Sequence, residues 1–308
     1  MASKRTILIT GCSDHSLGAA LALAFHKAGW RVFASARNLD KMKGSKENGI
    51  TTVQLDVGSD ESVASGVARI KELTGGSLDA LVNNAGAGYS VPLMDIDINK
   101  ARELFDLNVF SILRVTRGFL PLLLESERGG LVINHTSVAS MTAGSVPWQG
   151  AYNASKAAAT SITEGLRLEL GPFDIRVVNM LTGAVKSTFF DNASTPKLPP
   201  NSIYYVAKEE IESAMSGGDT AANGTDTVPW AESVVKDIDQ RNPPLWISRG
   251  RYATQARLGS LLPIGTFDST IKGLSKLDVV ERKIKDQRSA SLASCPVIVR
   301  PVVTSSSL

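Results

Sequence analysis

The chain has 308 residues, 43% of them hydrophobic and 20% charged, with a formal net charge of +3. This describes an ordinary globular chain of one large α/β domain or two small ones, and no dense Lys/Arg run points to nucleic acid. Two distant cysteines form no disulfide framework and three histidines form no metal-ligand spacing, so a reducing compartment and no metal are expected.

The first strand is predicted almost at once, at residues 5–10, leaving no room for a secretory signal peptide. Further strands are expected at 31–36, 52–57, 78–83, 130–136 and 175–180, as Val/Ile/Leu-rich runs suited to burial on both faces. Amphipathic segments near 17–28, 59–74, 98–118 and 151–170 lie between them. This alternation predicts right-handed βαβ units, hence an α/β fold with a doubly wound parallel sheet. No apolar stretch reads as long enough to span a bilayer.

Beyond Met180 the pattern changes. Residues 186–245 are rich in Pro and Gly, with helix candidates at 206–215 and 230–240. So long a segment reads as a functional insertion or lid, not a plain connector. A strand is expected at 245–248, then an amphipathic stretch at 252–262. That stretch reads as a core or lid helix, with contact at a membrane surface as the alternative. The Ser-rich chain after about 285 is expected to be a flexible tail.

The run Thr10-Gly11-Cys12-Ser13-Asp14-His15-Ser16-Leu17-Gly18 joins the first strand to a helix. Glycines let backbone approach a pyrophosphate, and a helix N-terminus offers free N–H donors and partial positive charge. Only two glycines of a three-glycine pattern are present, with His15 and Ser16 as candidate phosphate donors and Asp14 expected to face solvent. At the end of the second strand, Ala36-Arg37-Asn38 carries no acid to bind a ribose 2′-hydroxyl. Arg37 is suited to a 2′-phosphate, which favours NADP(H) over NAD.

Tyr152 and Lys156 lie four apart at the head of a small-residue helix, on one helix face. A cation near a phenol stabilises the phenolate, so the pair is suited to move a proton at a carbonyl or alcohol. His135 reads as structural and His26 as a surface residue. Trp148, Phe189, Phe190, Tyr204 and Tyr205 are candidates either for an apolar pocket or for core packing.

These motifs together resemble the short-chain dehydrogenase/reductase (SDR) family over roughly residues 5–265. The resemblance implies a single Rossmann-type domain over 1–285, a substrate-binding segment at about 186–262, and a tail at 286–308. It implies cofactor contacts from Gly11, Ser13, Ser16, Leu17, Gly18, Arg37, Asp56, Val57, Asn83, Ala85, Gly86, Tyr152, Lys156, Val185 and Ser187. Asn108, Ser137, Tyr152 and Lys156 match the family's catalytic set. Ser140 competes with Ser137, because Ser137 lies fifteen residues before Tyr152, slightly more than is usual. More narrowly, the run 147–156, Leu198-Pro199-Pro200-Asn201-Ser202 and the run 243–250 are similar to a fungal branch. That branch includes acyl-dihydroxyacetone-phosphate reductases and secondary-metabolism ketoreductases.

The implied reaction is hydride transfer between NADP(H) and an apolar ketone or secondary alcohol. In it Tyr152 moves the proton, Ser137 holds the carbonyl oxygen, Lys156 depresses the Tyr152 pKa and holds the nicotinamide ribose, and Asn108 fixes a relay water. A cofactor-binding sensor or scaffold without turnover is the reading from another class. A cytoplasmic location is expected, and the helix around 154–165 permits a homo-oligomer.

Overall fold

A computed structural model describes residues 4–189 and 197–293. Seven strands form one sheet: β1 (Thr6–Ile9), β2 (Arg31–Ala36), β3 (Thr51–Gln54), β4 (Ala80–Asn83), β5 (Leu131–Ser137), β6 (Arg176–Thr182) and β7 (Trp246–Arg249). Their order is β3-β2-β1-β4-β5-β6-β7, and each paired neighbour is parallel. The chain winds outward from β1 in both directions. The β1/β4 boundary is therefore the topological switch point, where a crevice opens beyond the strands' C-terminal ends.

Helices α1 (Leu17–Lys27), α2 (Lys43–Glu47), α3 (Asp60–Thr74), α4 (Ile98–Phe105), α5 (Ser111–Leu124) and α6 (Gly150–Leu170) accompany the first six strands. After β6 come α7 (Lys208–Met215), α8 (Gly218–Asn223), α9 (Thr227–Ile238), α10 (Ala253–Gly259), α11 (Asp268–Leu274) and α12 (Leu277–Ala293). One face of the sheet buries Ile7, Ile9, Val82 and Ile133 against Leu21 and Phe25 of α1 and Trp230 and Val234 of α9. The other buries Leu8, Phe33, Leu81 and Val132 against Val63 of α3 and Val115 and Phe119 of α5. Apolar side chains alternate to both faces of each strand, so neither face is left to water.

A third, smaller core lies away from the sheet. Trp148, Leu198, Ala207, Ile211 and Met215 pack with Val280 of α12. The Trp148 indole N–H donates to the Ser275 carbonyl at 2.8 Å, and its ring meets Tyr204 edge-on at 5.5 Å. The chain past residue 285 thus continues as helix to Ala293, where the composition reads as a tail. Residues 294–308, the rest of that tail, lie outside the described residues.

Helices α4 and α5 are joined by a π-turn, Asp106–Phe110, into one run from Ile98 to Leu124. By length and hydropathy this run is apolar enough to cross a membrane, contrary to the sequence expectation. Its apolar residues Val115, Phe119, Leu122 and Leu123 are buried against the sheet, the place of a core helix.

Candidate active site

The loop between β1 and α1 is shaped by two glycines. Gly11 has φ +74°, and a Cβ there would lie 2.8 Å from the Ala85 Cα. A Cβ on Gly18 would lie 2.4 Å from the Gly11 carbonyl oxygen and 2.5 Å from Asn84 Nδ2. Both exceed what real packing allows, so only glycine builds this cradle. Thr10 fixes it to the next strand: its hydroxyl accepts from the amides of Asn84 (3.0 Å) and Ala85 (3.1 Å).

Several residues of the loop act otherwise than expected. The Ser16 hydroxyl caps α1, accepting from Ala19 N (3.1 Å) and donating to the Gly11 carbonyl (3.0 Å). The donors left open to an anion are then the amides of the first helical turn, Leu17 and Gly18, which such a turn leaves without an intrahelical partner. Asp14 is half-buried and not turned away from the protein: its carboxylate accepts from Lys43 N (2.9 Å) and Gly44 N (3.0 Å) at the start of α2. His15 is exposed and left-handed, with φ 63°. Ser13 borders the loop, half-buried, and Arg37 stands exposed at the C-terminal end of β2.

The Asp56 carboxylate accepts from Gly58 N at 3.0 Å beyond β3, half-buried. Val57 and Val185 are buried in the two sheet cores, so only their main chain can face a ligand. Asn83 is buried too, its amide donating to Thr116 Oγ1 (3.0 Å) and Asn134 Oδ1 (2.8 Å), inside the fold. The neighbouring Asn84 shapes the loop. Its Nδ2 donates to the carbonyls of Thr10 (2.7 Å) and Gly11 (3.2 Å), and its Oδ1 lies 2.8 Å from His135 Nδ1. Those two donations fix the Asn84 amide's orientation, so His135 Nδ1 carries the proton and donates. Ser187 is half-buried, its hydroxyl accepting from Phe189 N at 3.4 Å.

The four catalytic candidates meet beyond the ends of β4 and β5. Ser137 ends β5, its hydroxyl accepting from Ala139 N at 3.2 Å and standing close enough to Tyr152 to favour the ionised phenol. Ser140 instead donates to the Ser137 carbonyl at 2.6 Å, which bends the chain behind Ser137. Lys156 is buried one helical turn below Tyr152, and its ammonium donates to the His135 carbonyl at 2.9 Å. Asn108 is buried in the π-turn. Its Oδ1 accepts from Ala87 N (2.9 Å) and its Nδ2 donates to Ala87 O (2.9 Å) and Ser155 Oγ (3.0 Å). Both amide donors are thus used within the protein. One Oδ1 lone pair and the main chain of the π-turn are left for the relay water that the resemblance implies. Gly86 lies between them: a Cβ there would sit 3.0 Å from Asn108 Oδ1 and 3.7 Å from Lys156 Nζ.

Burial pushes the Tyr152 phenol above its ordinary pKa, and the neighbouring Ser137 hydroxyl works in the opposite direction. Burial also pushes Lys156 down to about 8. The expected depression of Tyr152 by Lys156 is therefore not what this arrangement gives, since the ammonium is turned to the His135 carbonyl. His135, half-buried, is pushed down to about 3 by its loss of water and by the Lys156 charge, and it stacks on Trp230 at 5.8 Å. It is a neutral structural histidine. Of the five aromatic candidates, Phe189 stands beside Tyr152, with ring centroids 5.6 Å apart. Trp148 and Tyr204 belong to the third core, Tyr205 is exposed, and Phe190 lies outside the described residues.

A phosphate cradle at a sheet switch point beside a Ser–Tyr–Lys cluster defines a dinucleotide-dependent oxidoreductase site. The model of the short chain dehydrogenase family matches residues 5–198, and the chain belongs to that family. A short-chain dehydrogenase/reductase of Pestalotiopsis microspora is 43% identical over 288 residues, covering 92% of this chain and 99% of the relative. The NADPH-dependent 1-acyldihydroxyacetone phosphate reductase of Schizosaccharomyces pombe is 31% identical over 293 residues, covering 90% and 96%. The crystal structure of a short-chain dehydrogenase from Streptomyces avermitilis matches with a TM-score of 0.70 at 28% identity, covering 92% of this chain and 98% of that one.

Proposed function

We propose that this protein is an NADPH-dependent reductase of an apolar ketone, acting in fungal secondary metabolism. The observation that carries this reading is the meeting of Ser137 and Tyr152 with buried Lys156, beside the Gly11/Gly18 cradle. The cradle fits a pyrophosphate because only glycine leaves room for backbone to approach it. A bound NADPH supplies the hydride. Tyr152, held neutral by burial, gives its proton to the oxygen as the carbonyl becomes an alkoxide. Ser137 holds that oxygen beside the phenol and stabilises the growing charge. Lys156 holds the nicotinamide ribose and resupplies the proton, with Asn108 keeping the loop at Ala87 in place.

Two observations support NADPH over NADH. Arg37 is exposed with no ion pair among the described residues, and the S. pombe relative is NADPH-dependent by name. That relative's acyl-dihydroxyacetone-phosphate substrate supports a second reading, in which the pocket takes a phosphate. Of the three lysines on that segment, Lys186 pairs with Asp226 at 2.9 Å and Lys208 lies over Tyr205 at 5.5 Å, which leaves exposed Lys197 as the candidate phosphate partner. Tyr152→Phe is expected to retain NADPH binding and lose turnover by more than about 100-fold, the scale of general acid catalysis. NADPH oxidation on a ketone panel measures this, and near-normal turnover refutes the role. NADPH binding without turnover by the unaltered protein on every ketone and alcohol points to the sensor reading instead.

A further inference from the structure

The geometry points to Phe189 as the residue that selects which ketones the site accepts, favouring a flat group next to the carbonyl; this rests on the ketone-reductase reading above. Phe189 lies on the segment after β6 and reaches two other elements. Its ring centroid is 5.6 Å from that of Tyr152, with the planes inclined at 56°. Its edge rests on the loop after β4: a methyl group in place of the Gly88 hydrogen would lie 2.9 Å from Cε1 and 3.0 Å from Cζ. That is closer than packed atoms approach, so the ring takes up the space that glycine leaves.

Two hydrogen bonds at and before Phe189 tie the segment that carries the ring. Phe189 N donates to Ser187 Oγ at 3.4 Å, and Thr188 Oγ1 donates to the His15 carbonyl at 3.4 Å, across the mouth of the phosphate loop. A carbonyl oxygen bound at Tyr152 and Ser137 therefore has one substituent within reach of the Phe189 ring. An aromatic or conjugated substituent meets that ring as an aromatic pair. A puckered ring of equal size presents axial hydrogens to a wall backed by Gly88 and cannot lie flat against it.

Acetophenone and cyclohexyl methyl ketone share a skeleton and differ in flatness, so their kcat/KM ratio reads this selection. The unaltered protein is expected to favour acetophenone by roughly three- to ten-fold, the contribution of one aromatic pair. Phe189→Ala is expected to bring the ratio close to one. Phe189→Leu keeps apolar bulk without a flat face and is expected to do the same, which separates flatness from hydrophobicity. A ratio unmoved in both variants overturns the inference and leaves the ketone-reductase reading standing. If the unaltered protein turns over neither these ketones nor their alcohols, that reading falls instead. The selection is then read by calorimetric titration of both ketones into the NADP-loaded protein. A preference that is lost in both variants supports the inference, and equal affinities for the unaltered protein overturn it.

Discussion

Replacing His135 by Asn tests the chain of contacts from the phosphate loop to Lys156. In the folded protein His135 holds its pKa at about 3, against an ordinary 6.5. Below pH 6.5 the unfolded chain takes up a proton that the folded chain refuses. The stability tied to the neutral ring is therefore present above pH 6.5 and lost as pH falls toward 3. Between pH 7 and pH 5 the loss is about 2 kcal/mol, from 1.36 kcal/mol per pH unit across the part of the window crossed. An Asn side chain places an N–H donor near the position of Nδ1, and so can keep the bond to Asn84, but does not titrate. It forfeits the stack on Trp230 and leaves a small void, so the variant is expected to be about 1–3 kcal/mol less stable at pH 7. Urea unfolding of the cofactor-free protein at pH 7 and pH 5 measures both effects. The gap between the two proteins should narrow by about 2 kcal/mol at pH 5. Carboxylates common to both cancel in the difference. An equal loss of stability in both proteins refutes the assignment of a histidine held neutral by the fold.

Gly18→Ala is expected to weaken NADPH binding by more than about ten-fold and to cost about 1–3 kcal/mol of stability, because the new methyl meets Gly11 and Asn84; fluorescence titration and thermal melting read the two effects. Arg37→Ala should lower kcat/KM for NADPH by roughly 10- to 100-fold, the worth of a lost charge-assisted contact, while NADH changes little; parallel kinetics with both cofactors decide it. Asn108→Ala leaves the Ala87 N–H and C=O without their partner and should lower stability by about 2–4 kcal/mol; an unchanged midpoint of urea unfolding would contradict the clamp.

Much of the sheet was legible because buried parallel strands write themselves as short apolar runs. Residues 31–36 match β2 end to end, and 245–248 anticipate β7 within a residue. Motif runs are less informative about which member acts. Asn83 and Asn84 are identical in type, but Asn83 closes the strand and turns into the core, while Asn84 begins the loop and braces it. Ser16 reads as a phosphate donor until the helix start is known, when its hydroxyl becomes the cap. The π-turn leaves no sequence mark of its own, since one extra residue in a helix barely disturbs the apolar period. Helix α12 was hidden by composition: its serines and charges outweigh the thin apolar stripe Leu277, Val280 and Ile284, which is at helical spacing and meets the third core.

The Trp148–Ser275 hydrogen bond bears on the order in which the protein matures during synthesis. By residue 182 a nascent chain has produced six of the seven strands and all four catalytic candidates. The indole that anchors the approach to α6 waits for a carbonyl encoded 127 residues later. An α/β scaffold able to collapse early thus receives the brace beside its reactive tyrosine late. Ribosome-bound chains halted before residue 275 would carry the sheet without that brace. The catalytic end of the molecule is in this sense braced last, by chain that follows every strand of the sheet.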